Sequence, residues 1–276
     1  MVPQDDQRKH TSRTSKSNPL RFWKLQGAGN DFVLLDGLQQ PLPEANLAVL
    51  AQRLCDRRYG VGADGMLIML PTQVADYRMR ILNADGSEAR MCGNGIRCFA
   101  RYLFEYHCPQ ASAICIETGA GIRQVHRISE NRFTVEMGQP TIVPDPEFTV
   151  VDMGALHVVL FVEDVGSFPL EVQGQAVENH PRFPDRVNVS VAQVDSPDRA
   201  QARVWERGAG ATLACGTGAC AITVAGAMQG LLQRTATIQM PGGDLQVEWR
   251  ADDTLWLTGD AELVFEGVFH TSLIKN

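Results

Sequence analysis

The segments best suited to chemistry in this chain are Cys92-Gly93-Asn94-Gly95 and Cys215-Gly216-Thr217-Gly218. In each, glycines after a cysteine let the backbone turn tightly and approach a ligand closely. A helical pattern follows, with Ile96, Ala100, Leu103 and Phe104 at helical spacing after the first motif. A helix starting there leaves its first amides without internal partners, so they point outward as anion donors. The positive end of its dipole favours thiolate over thiol. Each motif therefore offers an activated sulfur beside a nest for a carboxylate. One copy alone reads as readily as a buried cysteine followed by a glycine turn; two copies in equivalent places are much harder to read that way.

Two such sulfurs on opposite sides of a cleft suit inversion at the α-carbon of an amino acid. One group removes the proton from one face while the other delivers a proton to the opposite face. The α-proton is weakly acidic, and helix N-termini aimed at the carboxylate stabilise the developing negative charge. A thiol and a thiolate have matched pKa values near the working pH, as such a pair requires.

The elements that must hold these motifs repeat. The second cysteine follows the first by 123 positions, and at that offset Asn83 falls on Glu206 and Thr118-Gly119 on Pro241-Gly242. Val135–Gly138 resembles Trp256–Gly259, and Gly29–Val33 resembles Gly154–Val158, with offsets between 121 and 125. Five correspondences in one order point to duplication of one α/β unit. Strand patterns fall at Arg21–Leu25, Phe32–Asp36, Met66–Leu70, Tyr77–Asn83, Ala113–Glu117 and Arg132–Met137 in the first half. In the second they fall at His157–Val162, Val187–Val194, Ala202–Glu206, Ile238–Met240, Leu245–Trp249 and Thr254–Thr258. Helices are expected over Glu44–Arg58, after Cys92 until Pro109 stops the chain, and over Thr217–Leu232. Two similar domains then meet along a seam, where a small-molecule cleft forms most readily.

Six segments carry a specific resemblance. Gly27–Phe32, Asn83–Glu88, Met91–Ala100, Arg186–Val189, Glu206–Gly210 and Ala214–Cys220 resemble, in order, the signature segments of the diaminopimelate epimerase family, from about Leu20 to the C-terminus. The resemblance implies an α/β fold of two pseudo-twofold-related domains, each a curved mixed β-sheet wrapped around a central helix. The domains are expected at 20–138, with 261–276 returning to the first, and at 139–260. It implies pyridoxal-free interconversion of LL- and meso-diaminopimelate, with no cofactor or metal, by a cytoplasmic homodimer on the way to lysine and peptidoglycan. By matching position, Cys92 and Cys215 are the acid/base pair, and His157 and Glu206 modulate them. Gly93, Asn94, Gly216 and Thr217 offer backbone amides to the reacting end, while Asn30, Asn83, Asn188, Glu206 and Arg207 complete substrate binding.

Ordinary readings stand beside these roles. Asn30 could cap a turn, Asn83 with Asp85-Gly86 could make a hairpin, and Arg207 could form a surface ion pair. His157 could be a satisfied core histidine. Where the family commonly has Asn-Pro-His this chain has Ala155-Leu156-His157, removing an amide that would hold the distal end of the substrate. Gly65 stands where some members have a ligand-reaching Gln. Gly60–Gly65 fits a dinucleotide fingerprint, but a helical pattern precedes it and a strand follows, the reverse of the order that motif needs. The competing functions are a same-fold racemase of histidine or proline type, and a non-catalytic ligand-binding or thiol-redox protein.

Composition narrows the field. A net charge of −7 and a pI near 5.4 lack the basic footprint of nucleic-acid binding. No apolar run approaches the ~18 residues of a membrane helix. The odd count of 7 cysteines and the absence of a secretory pattern argue against a disulfide framework. The cysteine spacings argue against structural zinc. Cys55, Cys98, Cys108, Cys115 and Cys220 read as small buried hydrophobes. The polar residues 1–19 are expected to form a disordered extension.

Overall fold

A computed structural model describes residues 19–43 and 46–270. The expected N-terminal extension lies almost wholly outside the described residues, as do residues 271–276 and the start expected for the first helix.

The first half runs β1 (Leu20–Gly27), β2 (Asn30–Asp36), α1 (Leu47–Cys55), β3 (Gly65–Leu70), β4 (Tyr77–Asn83), β5 (Glu88–Ala89), α2 (Gly93–Tyr106), β6 (Ala113–Thr118), β7 (Gly121–Arg127) and β8 (Arg132–Gly138). After β9 (Thr141–Val143) the second repeats that order with β10 (Thr149–Asp152), β11 (Leu156–Phe161), α3 (Leu170–Glu178), β12 (Asn188–Ser196), β13 (Arg199–Glu206), β14 (Gly210–Thr212), α4 (Gly216–Met228), β15 (Thr235–Met240), β16 (Gly243–Trp249) and β17 (Leu255–Asp260), and β18 (Glu262–Phe269) follows.

Strand pairing divides into two matching sets. One runs β18-β1-β2-β3-β4-β6-β7-β8, with β2–β3 and β4–β6 parallel and the other pairs antiparallel. The other runs β9-β10-β11-β12-β13-β15-β16-β17, with β11–β12 and β13–β15 parallel. The sets join where β8 pairs antiparallel with β17, strands that the repeat exchanges, so a pseudo-twofold axis passes between them. β18 is the counterpart of β9 and completes the first set by pairing with β1.

Each sheet curls around one helix. α2 packs on β1, β2, β8 and β18, and α4 on β10, β12, β15 and β16. α4 is built of Ala, Gly, Ile, Thr, Val, Cys and Met and is buried almost all round, as a central helix must be. It stops four residues before the expected Leu232. Gly230 takes φ +70°, and the amides of Gly230 and Leu231 bond back to Ala227 O and Gly226 O, a Schellman closure. α1 stops at Cys55, short of Arg58, because the Asp56 carboxylate takes the amides of Arg58 and Tyr59 at 2.7 and 2.8 Å. α3 carries little apolar periodicity, its buried residues being only Leu170, Gly174 and Glu178, and no helix was expected there. Gly174 is small of necessity: a Cβ there would sit 2.7 Å from Trp205.

Candidate active site

Cys92 and Cys215 are the N-caps of α2 and α4, each in extended backbone. The two helix starts abut across the seam. A Cβ built on either Gly93 or Gly216 would lie 3.4 Å from the Cα of the other, and both would meet Leu257. Glycine at these positions is what lets the two N-termini approach. The Asn94 amide crosses the seam and donates to Ala214 O at 3.1 Å.

A cavity of about 780 Å³ opens beside the seam. Of the residues marked in the sequence, Asn30, Asn83, Cys92 and Glu206 line it. Cys215 lies just behind the wall at Ala214, and Gly93, Asn94, Gly216, Thr217, His157, Asn188 and Arg207 are not part of the wall. Cys55, Arg57 and Asp64 are among the lining residues not anticipated as site residues. Asp64 belongs to the Gly60–Gly65 segment, whose resemblance to a dinucleotide loop concealed it. Its carboxylate accepts from Asn30 Nδ2 at 2.8 Å and from Arg57 at 2.8 Å, which fixes the face the Asn30 amide presents. Arg57 also binds Asp31 at 2.7 Å. Cys55 is buried, and that burial pushes its thiol up to about 12. Cys98 and Cys220 are buried as expected, but Cys108 and Cys115 are only half-buried.

Around Cys92, the sulfur accepts the Gly95 amide at 3.3 Å and faces Asn30 Oδ1 at 3.7 Å. Burial pushes its thiol above the ordinary value, while the helix amides pull the other way. Around Cys215, the sulfur lies 3.3 Å from Thr217 Oγ1. Burial, then the charge of neighbouring Glu206, pushes this thiol well above its ordinary value. Glu206 is itself pushed up by burial, and accepts from Thr212 Oγ1 at 2.6 Å. His157 is buried between Ser190 Oγ (3.0 Å from Nδ1) and Thr217 Oγ1 (2.9 Å from Nε2). Burial lowers its pKa to about 3, so it is neutral at working pH. It thus touches Cys215 through Thr217 rather than directly.

The other marked residues build the turn after β13. Asn188 donates to Leu156 O and accepts the Arg207 amide, both at 2.9 Å. Glu178, from α3, accepts the Gly208 amide at 2.9 Å and Trp205 Nε1 at 2.7 Å. These two side chains clamp the Glu206–Gly210 turn from below. The Arg207 guanidinium donates to Asp185 O at 3.0 Å on the exposed side of that turn. Asn83 binds Ser87 Oγ at 2.9 Å in the matching turn of the first half. Among the described residues, no group of three or more His, Cys, Asp or Glu could hold a metal ion, and no helix is long and apolar enough to cross a membrane.

The sequence profile of the diaminopimelate epimerase family matches residues 22–143 and 149–264. A diaminopimelate epimerase of Carboxydothermus hydrogenoformans is 43% identical over 272 residues, covering 91% of this chain and 99% of its own. One of Desulfitobacterium hafniense is 46% identical, covering 89% and 96%. Among solved structures, a phenazine biosynthesis protein of the PhzF family from Bacillus anthracis superposes with a TM-score of 0.72 at 15% identity, covering 91% and 99%. A hydroxyproline epimerase from Agrobacterium vitis superposes with a TM-score of 0.66 at 15% identity, covering 92% of each chain. These two likenesses show the shared fold.

Proposed function

The chain belongs to the diaminopimelate epimerase family, and from that membership we propose that the seam between α2 and α4 is where a substrate α-carbon is inverted. The enzyme is an isomerase that interconverts LL- and meso-diaminopimelate without pyridoxal phosphate. The observation that carries the assignment of the site is the meeting of two helix N-termini, each capped by a cysteine, beside the cavity.

The thiolate of one cysteine takes the α-proton and becomes a thiol. The thiol of the other gives a proton to the opposite face and becomes a thiolate. Charge that develops on the α-carboxylate is taken up by the outward amides at Gly93-Asn94 and Gly216-Thr217, which cost no reorganisation because the helices already hold them. Glu206 and His157 with Thr217 set the protonation of Cys215. Asn30, Asn83, Asn188 and Arg207 hold the rest of the substrate, Asn188 by fixing the backbone from which Arg207 projects. The same reading gives a cytoplasmic homodimer, with the domain boundary after Gly138 and the last strand returned to the first domain.

The test is α-proton exchange in D2O. LL- and meso-diaminopimelate should each acquire deuterium at one α-carbon while interconverting. Preferential exchange of histidine or proline would mark a same-fold racemase instead, and no exchange with any amino acid would mark a binding or thiol-redox protein.

A further inference from the structure

Arg97 is a fully buried cation without an opposite charge at its side. It lies on α2, five residues after Cys92, at 0% exposure. Its hydrogen bonds run to neutral oxygens: Nη1 to Gly93 O at 3.0 Å, Nη2 to Asn94 Oδ1 at 2.9 Å and Nε to Asp260 O at 3.4 Å. The Asp260 carboxylate acts on it only at longer range, being exposed and paired with Arg132. Among the described residues no ion pair to Arg97 is formed. A charge taken out of water is costly unless a counter-charge meets it, so proteins rarely keep one unpaired. The fold nevertheless makes room: a Cβ on Gly259 would sit 3.1 Å from the guanidinium carbon, so β17 offers it a bare backbone floor.

The titratable groups around Arg97 besides Asp260 are three thiols, Cys92, Cys98 and Cys220. Cys98 and Cys220 are sealed in the core, where burial keeps them as thiols. Cys92 alone of the three faces the cavity. The repeat places Cys220 at the position of Arg97, so α4 has no charge at the equivalent site.

We propose that Arg97 is the counter-charge for a thiolate at Cys92, so that the resting enzyme carries Cys92 as base and Cys215 as acid. This rests on the reading of the two cysteines as an acid/base pair. On α2, the Cys92 sulfur accepts the Gly95 amide, while Arg97, whose guanidinium grips Gly93 O and Asn94 Oδ1 next to that cysteine, acts on it at longer range; both favour the thiolate. Against them stand Glu206 on β13, which repels an anion, and Asn30 on β2, whose Oδ1 accepts from the thiol and whose Nδ2 is held by Asp64 and, behind it, Arg57. The Cys215 sulfur lies 3.3 Å from the Thr217 hydroxyl and is acted on by the charges of Glu206 and Cys92, with no cation among them. The charge layout therefore separates two sulfurs that the fold places equivalently. Arg97 acts through Cys92 and is a positioning residue.

The experiment is alkylation by iodoacetamide across a pH series, with peptide mass mapping of Cys92 and Cys215. The thiolate sulfur forms a thioether and iodide leaves, so the pH midpoint at each site reports ionisation and differences in access cancel. In the wild-type protein the Cys92 midpoint should lie below that of Cys215 by about one pH unit or more, about tenfold in rate at a pH below both. Arg97→Gln should move the Cys92 midpoint up by about as much and leave Cys215 in place, whereas Arg97→Lys, which keeps the charge but loses the planar fork, should keep the Cys92 midpoint low. Equal wild-type midpoints, or Cys215 ionising first, would overturn the proposal, as would a folded Arg97→Gln protein with an unmoved Cys92. Should Arg97→Gln fail to fold, the wild-type order and Arg97→Lys still decide. A low Cys92 midpoint without α-proton exchange on diaminopimelate would sink the proposed function and leave the role of Arg97 standing.

Discussion

Cys92 and Cys215 cap equivalent helices in equivalent sheets, yet the residues around them have diverged along chemical lines. In the first half, a Cβ on Gly95 would touch Phe32 and Leu67; in the second, a Cβ on Gly218 would touch Ser190 Oγ. The registers explain the correspondence. Phe32 pairs with Gly65 on β2–β3 as His157 pairs with Asn188 on β11–β12, so Leu67 matches Ser190. An apolar pair under one cysteine has become a hydroxyl–imidazole–hydroxyl chain under the other. Asn83 in one turn is Glu206 in the other, and Arg97 in one helix is Cys220 in the other. Duplicated scaffolding fixed where the sulfurs sit, and later side-chain divergence made their environments unequal. A substrate with two different faces needs that inequality, because acid and base must hold different protonation states at one moment.

The comparison breaks most visibly at the sulfurs. Cys92→Ala and Cys215→Ala should each lower epimerisation by about 10²- to 10⁴-fold, the usual contribution of a positioned acid or base, with circular dichroism unchanged. Near-normal turnover in either variant would show that only one half does chemistry.

Glu206→Gln removes the carboxylate that acts on Cys215, and by losing a charge-assisted hydrogen bond should cost about 10- to 150-fold in kcat/KM. Its effect on stability has the opposite sign. Burial raises the folded-state pKa of Glu206, so the favourable contribution of the protonated group is present at low pH and is lost as pH rises through that value. The Gln variant should therefore gain thermal stability relative to wild type at neutral pH and show no gain in acid. The contrary result, destabilisation at neutral pH, would mean that the ionised carboxylate supports the fold.

His157→Phe copies the first half into the second and removes a buried base. In the wild type, burial lowers the folded-state pKa of this residue from 6.5 to about 3. The unfolded chain binds the proton first, so stability is full above about pH 6.5 and falls as pH drops toward about 3. Around pH 5 the wild type should already have lost about 2 kcal/mol, about 30-fold in the folding equilibrium, that the variant does not lose. Urea midpoints at pH 7.5 and pH 5 (about two points are enough) measure it; parallel changes in both proteins would show that His157 is protonated in the fold.

Ala155→Asn sharpens the comparison by restoring the amide that Asn30 supplies in the first half. The KM for diaminopimelate should fall by about tenfold, as one recovered hydrogen bond to a charged group allows. An unchanged KM would show that the substrate does not reach β11.

Much of this was legible in the chain itself. Strand patterns at Phe32–Asp36, Tyr77–Asn83 and Val187–Val194 became β2, β4 and β12, because alternating or continuous apolar runs bounded by turn residues have few other ways to be buried. The repeat held even where local pattern failed. Leu170–Glu178 shows little helical periodicity, yet it stands 123 positions after α1, and extending the offset would have found it. Helix ends were set by competition that apolar spacing does not record: the Asp56 side chain capturing two amides, and Gly230 turning into the left-handed region.

The sequence by itself determined the duplication, the two helix starts and the cysteines that cap them, since Cys-Gly-x-Gly before an apolar helical run is a local instruction. Only the tertiary structure decided what those cysteines face. Asp64 reaches Asn30 across 34 positions, His157 meets Thr217 across 60, and Asn94 reaches Ala214 across 120. Such contacts follow from strand register and from the close approach of Gly93 to Gly216, which depend on how two sheets close around their helices. Burial and neighbouring charge, which set the protonation of each sulfur, exist only once that closure has expelled water.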